Sequence, residues 1–276
     1  MNSCIRNLIY SFLFFVVVDS QAITKDTTLK ITYRYGKLKV PVTIKLKANA
    51  KANILALPGW NLLATDWCAK TSLCDKAANE NYNVIMVEMQ RSVYLRQYYP
   101  QTRKEYSIYP TRTWLHDSVL INLFKNKIID QSKPMYVIGL STGGRGAAIM
   151  ALDYPEIIKG AASLSGDFDP MLQKDDNLMI NSIGSFNKYE LLWKGDNNMS
   201  LRAAEFKVPL YIGHGCADKV CPPIQSESFV YTLYRKNPGL KVVSNFPAKM
   251  KHDYTYWNSE VDAVLEFFNS IYLMGN

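Results

Sequence analysis

Histidine is scarce in this chain: three residues in 276. The scarcity excludes histidine-rich metal tracts and leaves only His116, His214 and His252 as imidazole bases. Cysteine is sparse too, five in all, with no Cys-x-x-Cys spacing and no accompanying histidine pair, so no metal site is expected. Apart from one stretch near the N-terminus, no apolar run approaches the length needed to span a bilayer. There is no internal repeat and no low-complexity linker, and one domain is the economical reading. Acidic residues are outnumbered, 24 Asp and Glu against 32 Lys and Arg, for a formal net charge of +8. No nucleic-acid motif accompanies that excess, so a solvated cationic surface is expected and a nucleic-acid partner is not.

Three short segments carry chemistry. The first is Gly139-Leu140-Ser141-Thr142-Gly143-Gly144, preceded by the apolar run Pro134 to Ile138 and followed by a helical pattern that stops at Pro155. A serine at the tip of a sharp strand-to-helix turn crowds its neighbours two residues away, and glycines at 139 and 143 relieve the crowding. The second is Gly213-His214-Gly215-Cys216-Ala217-Asp218, after the predicted strand Val208 to Ile212. The third is Lys251-His252-Asp253, with Trp257 close behind. Together they give the chain order Ser, Asp, His of the nucleophile elbow.

A serine hydroxyl needs a base within hydrogen-bond reach and an acid that orients the base. His252, between the strand-like run Leu240 to Phe246 and a terminal helix from about Trp257 to Tyr272, is the expected base. His214 is the alternative, although it precedes the acid. His116 falls in an amphipathic stretch, Trp114 to Ile128, that reads as a boundary helix. Asp218 is the expected acid. Asp253 points elsewhere on an ordinary backbone, Asp175, Asp176 and Asp196 read as solvated loop, and Asp167 and Asp169 either line the pocket or serve turns. The N–H of Thr142 supplies one oxyanion donor. The second is expected from Trp60, where the strand Asn53 to Leu57 breaks at Pro58-Gly59, with Asn61 as runner-up.

From Tyr136 to Pro170 the chain resembles the esterase D or carbohydrate-esterase branch of the α/β-hydrolases. The matching residues are the run Gly139 to Ala147, then Ala162-Ser163-Leu164-Ser165-Gly166 and Phe168-Asp169-Pro170. The tail is similar as well, in Gly215, Asp218 and Val220 and in His252-Asp253-Tyr254-Thr255-Tyr256-Trp257, where Tyr254 replaces the family's first tryptophan. Pro58-Gly59 stands where many hydrolases carry His-Gly. The resemblance implies an α/β-hydrolase fold, a central mostly parallel sheet with helices on both faces. It also implies carboxylic-ester hydrolysis through an acyl-enzyme, without metal or organic cofactor, on a small-molecule or glycan ester. An acyltransferase, a peptidase and a catalytically silent glycan binder use the same scaffold.

The N-terminus carries Arg6, the apolar run Leu8 to Val18, and Ser20-Gln21-Ala22. Residues 1–22 are therefore expected to be a signal peptide, with 23–276 the mature hydrolase domain, secreted or periplasmic and without stable membrane insertion after cleavage. Four cysteines remain, and their spacings suggest two small loops, Cys68 with Cys74 and Cys216 with Cys221, among three possible pairings. Two stretches break the strand–helix alternation. Gln90 to Thr111, dense in tyrosine and arginine, is expected to pack its aromatics on the body and expose its charges, although it could stack on a substrate. Phe168 to Ala203 is polar. Such insertions commonly shape the pocket in this fold.

Overall fold

A computed structural model describes residues 25–275, so the expected signal peptide lies outside the described residues. Eight strands form one sheet: β1 (Thr27–Tyr35), β2 (Leu38–Leu46), β3 (Ala52–Leu57), β4 (Tyr82–Val87), β5 (Met135–Leu140), β6 (Ile158–Leu164), β7 (Leu210–Gly213) and β8 (Val242–Asn245). Their spatial order is β1-β2-β4-β3-β5-β6-β7-β8. The β1–β2 and β2–β4 pairs are antiparallel and every other pair is parallel.

Burial patterns follow from these positions. β3, β4 and β5 are buried at every residue, as parallel strands covered on both faces must be, whereas β1 alternates and β8, at the far edge, is mostly exposed. Successive residues of the inner strands feed two cores. Leu55, Leu57, Ile85 and Val137 point to one, and Ile54, Ala56, Val84 and Ile138 to the other. Each of the leucine, isoleucine and valine side chains among them contributes roughly 1.5–3 kcal/mol on burial. The helix Thr142–Asp153 is buried from Thr142 to Leu152, which explains its small residues: it lies between the sheet and further chain.

Several helices are subdivided. Between β3 and β4 lie two short ones, Asp66–Ala69 and Leu73–Asn79, and the Cys68–Cys74 disulfide spans the break. The stretch around His116 contains a π-helical turn, Leu115–Leu120, with the His116 ring stacked on Tyr154 at 4.0 Å. The terminal helix divides into Tyr254–Ser259 and Val261–Gly275 at Glu260. That buried carboxylate accepts hydrogen bonds from Tyr211 Oη at 2.6 Å and Asn245 Nδ2 at 2.8 Å.

The polar stretch after Phe168 is more ordered than its composition suggests. It holds a 3-10 turn, Pro170–Gln173, and the helices Asn177–Ile183 and Phe186–Trp193. Met179, Ile183 and Trp193 pack there with Val93 and Leu95 in a third, smaller core that joins the two irregular segments. Strand order reverses between β3 and β5, since β4 lies beyond β3 and the chain then crosses back to β5. A crevice opens at the C-terminal ends of strands at such a switch point.

Candidate active site

Ser141 follows β5 with φ +56° and ψ −128°, in the left-handed region that a non-glycine residue occupies only when its surroundings enforce it. The enforcement is visible at both glycines. A Cβ on Gly139 would lie 1.9 Å from the Gly143 carbonyl oxygen, as the crowding argument requires. A Cβ on Gly143 would instead meet the Leu57 and Pro58 carbonyl oxygens at 2.4 and 2.5 Å. Gly143 thus lets the turn close against the end of β3, a contact beyond the reach of local spacing.

The turn brings Ser141 Oγ to 2.9 Å from His252 Nε2, and His252 Nδ1 lies 2.6 Å from Asp218 Oδ2. Asp218 is buried, and its other oxygen, Oδ1, accepts the Val220 and Cys221 backbone N–H groups at 2.8 and 2.9 Å. Burial alone would raise the pKa of this carboxyl. Hydrogen bonds from His214 and His252, with support from the Cys221 N–H, outweigh that and hold it well below the usual carboxylate range. Trp257 packs edge-on to the His252 ring at 5.2 Å and donates its indole N–H to Ser165 Oγ at 3.2 Å, so the imidazole is backed by a fixed aromatic.

The remaining acids take other parts. Asp253 caps the helix Tyr254–Ser259 by accepting the Tyr256 N–H at 3.1 Å. Asp169 accepts the Met171 N–H and the Asn198 amide. Asp167 lines the cavity and pairs with buried Arg145 at 2.8 Å. Asp176, expected as solvated loop, also lines the cavity while capping the helix Asn177–Ile183 through the Met179 N–H. Sequence polarity alone hides that position, because the wall it belongs to is assembled only by folding.

Trp60 lies beside the elbow: a Cβ on Gly59 would approach Ser141 Cβ at 2.9 Å. The N–H groups of Trp60 and Thr142 have no acceptor among the described residues. The Asn61 N–H is already bonded to the Gln90 carbonyl at 2.8 Å, and Asn61 lines a different cavity, so the runner-up donor is engaged elsewhere.

The expected Cys216–Cys221 bridge is not formed; both are free thiols. Cys216 Sγ faces the Phe246 carbonyl and Cys221 Sγ the Gly166 carbonyl, because Asp218 holds the Val220 and Cys221 amides and thereby sets the path of the loop. The half-buried Cys221 thiol lines the cavity. Burial pushes its pKa well up, reinforced by the nearby carboxylates Asp167 and Asp218, so it remains a thiol and no rival to Ser141.

The cavity above Ser141 measures 320 Å³ and is lined by Trp60, Val93, Tyr106, Ser141, Thr142, Arg145, Ser165, Asp167, Gln173, Asp176, Leu178, Met179, Val220 and Cys221. The tyrosine-rich segment divides its roles. Tyr94 is buried with its hydroxyl on the Pro58 carbonyl, whereas Tyr106 meets Trp60 edge-on at 5.0 Å in the cavity wall. Not all its charges are exposed as expected: Arg112, at the boundary of the segment, is fully buried and bonds Asp153 at 2.7 Å. Sequence reasoning missed Val93, Leu178 and Met179 in the wall, since no local signal distinguishes them from core residues.

This sheet, with a strained nucleophile turn at its switch point, defines an α/β-hydrolase. Comparison with known proteins agrees: the Esterase family model, described as "Putative esterase", matches residues 69–267. The chain belongs to this family and is a serine hydrolase acting on carboxylic ester bonds. It is 26% identical over 237 residues to the diacylglycerol acyltransferase/mycolyltransferase Ag85C of Mycobacterium avium, covering 76% of this chain and 67% of that protein. In fold it is similar to an S-formylglutathione hydrolase from Agrobacterium tumefaciens, with a TM-score of 0.70 at 14% identity, covering 88% of this chain and 93% of that one. It is also similar to a ferulic acid esterase, with a TM-score of 0.63 at 15% identity, covering 90% and 98%.

Proposed function

We propose that the chain is a secreted serine esterase that uses Ser141, His252 and Asp218 as a catalytic triad. The single observation that carries this reading is the unbroken hydrogen-bonded line from Asp218 Oδ2 through the His252 ring to Ser141 Oγ. His252 takes the serine proton as Oγ attacks the ester carbonyl and returns it to the leaving alcohol. A water activated by the same imidazole then releases the acyl group from Ser141. Asp218 fixes the tautomer with Nδ1 protonated and stabilises the imidazolium. The Thr142 and Trp60 N–H groups receive the developing oxyanion, and the first of these also stands at the positive end of a buried helix.

The acyl part of the substrate sits against Trp60, Val93, Tyr106, Leu178 and Met179, and a cavity of 320 Å³ favours a compact or aromatic acyl group. Secretion is supported by the N-terminal sequence and by the Cys68–Cys74 disulfide, which fits an oxidising compartment. Among the described residues no helix is long and apolar enough to cross a membrane. The test is hydrolysis of p-nitrophenyl esters, from acetyl to long acyl and including feruloyl, by the mature protein beside Ser141→Ala. Turnover that depends on the serine is expected, and equal turnover by the variant would overturn the triad.

Acyl transfer is a second reading, favoured by the similarity to the diacylglycerol acyltransferase/mycolyltransferase Ag85C. Transfer would appear as a new acylated product when sugar or lipid alcohols are added, at the expense of free acid.

A further inference from the structure

A second imidazole reaches the acid of the triad. His214, directly after β7, is fully buried. Its Nε2 lies 3.2 Å from Asp218 Oδ2 and 2.9 Å from the Cys221 carbonyl oxygen, and its Nδ1 lies 2.7 Å from Ser226 Oγ. Both neighbours of Nε2 are acceptors, so Nε2 carries a proton. Nδ1 then offers its lone pair to the Ser226 hydroxyl, and one neutral tautomer satisfies all three contacts.

Each oxygen of Asp218 is therefore held twice, Oδ1 by the Val220 and Cys221 N–H groups and Oδ2 by His252 and His214. A carboxylate gripped in this way can neither rotate nor give all its charge to one partner. Resting on the triad reading above, we propose that His214 is a positioning residue: it fixes the plane of the Asp218 carboxylate and limits how strongly that carboxylate holds the proton of His252. An imidazole bound too tightly to its proton would be slow to return it to the leaving alcohol. His214 does not compete as base, because its two nitrogens are committed to Asp218, Cys221 and Ser226.

The other titratable groups around this arrangement are Tyr256 and Cys216, which interact with each other and, in the case of Tyr256, with Asp218, together with Cys221 in the same loop. Asp253 is engaged at its helix cap and Glu260 with Tyr211 and Asn245. None of these donates to Asp218 Oδ2, so removing His214 changes that oxygen alone among the contacts on the carboxylate.

With only three histidines, ring-proton NMR can follow His252 directly, whether or not an ester is turned over. In His214→Phe, Asp218 loses a donor, its charge falls more fully on His252, and the His252 titration midpoint is expected to rise by on the order of half a pH unit. On a reactive ester, kcat is expected to fall by on the order of tenfold with KM unchanged. His214→Gln, whose amide restores a donor near the lost Nε2, should recover most of both. Ser226→Ala, which frees the far side of the ring and touches neither Asp218 nor the cavity, should give the same change in smaller measure and serves where the phenylalanine variant does not fold. An unmoved His252 midpoint across the variants that fold would overturn the proposal. Failure of the esterase reading would appear separately, as a wild-type protein that turns over no ester while the midpoint still moves.

Discussion

The two walls of the cavity at Ser141 are built by different means. One comes from the ends of β3 and β5 and the first turn of a buried helix, where Gly139 and Gly143 let backbone meet backbone and no side chain has to be ordered. The other comes from residues 93–106 and 167–179. It is tied down by buried side chains, with Arg112 on Asp153 and the Tyr94 backbone carbonyl, Arg145 on Asp167 and the Asn197 backbone carbonyl, and the Gln225 side-chain Oε1 accepting the Phe168 and Asp169 N–H groups. Backbone packing leaves little freedom for sequence change, so the first wall fixes the chemistry. Side-chain anchors can be re-sited, so on the proposed reading the second wall is the one that selects the acyl group.

The first wall carries Ser141, and its part in the chemistry is refuted if damage to the hydrogen-bonded line behind that serine spares turnover. Asp218→Asn keeps the size of the acid but loses its charge, and kcat is expected to fall by on the order of 10³–10⁴-fold with little change in KM. The same variant sharpens the electrostatic account. A carboxyl held below its ordinary pKa contributes stability that is fully present above about pH 4 and is lost as pH falls through the lower folded-state value. Thermal melts of the wild type should therefore weaken below pH 4 more steeply than those of Asp218→Asn.

On the second wall, Arg145→Met leaves Asp167 buried in part and unpaired. A loss of roughly 3–5 kcal/mol in unfolding free energy is expected, measured by denaturant titration, with KM raised before kcat falls. A gentler probe is Leu178→Ala: kcat/KM for bulky acyl esters should drop several-fold, on the order of 1 kcal/mol, while acetyl ester turnover holds. Smallest of all for activity is the pair Cys68→Ser and Cys74→Ser. Its short loop is worth about 2 kcal/mol of stability by chain entropy and stands outside the Ser141 cavity, so melting temperature should fall and ester kinetics should not.

The same division decides what could be read before the fold was known. That Ser141, Asp218 and His252 come together was legible because a serine, an acid and a histidine each follow an apolar strand-like run, and glycine spacing marks the turn. Strands β3, β5 and β7 were visible through their apolar runs; the mostly exposed β8 was marked by a run that extends beyond it at both ends. Asp176, Val93 and Leu178 were not, because their place in the wall depends on a third core that joins two segments about 80 residues apart. Cys216 and Cys221 misled for a related reason: sequence proximity suggested a bridge, but the Asp218 carboxylate captures the intervening amides and sends the two thiols to different carbonyls. His214 showed its position in the His-x-x-x-Asp spacing, but its part as a second donor to the acid emerged only from the geometry.

The most direct test of the account is the site of covalent labelling by a fluorophosphonate. A single adduct is expected on the peptide bearing Ser141, absent from Ser141→Ala and strongly slowed in His252→Ala. An adduct on another residue, or equal labelling of the Ser141→Ala protein, would contradict it.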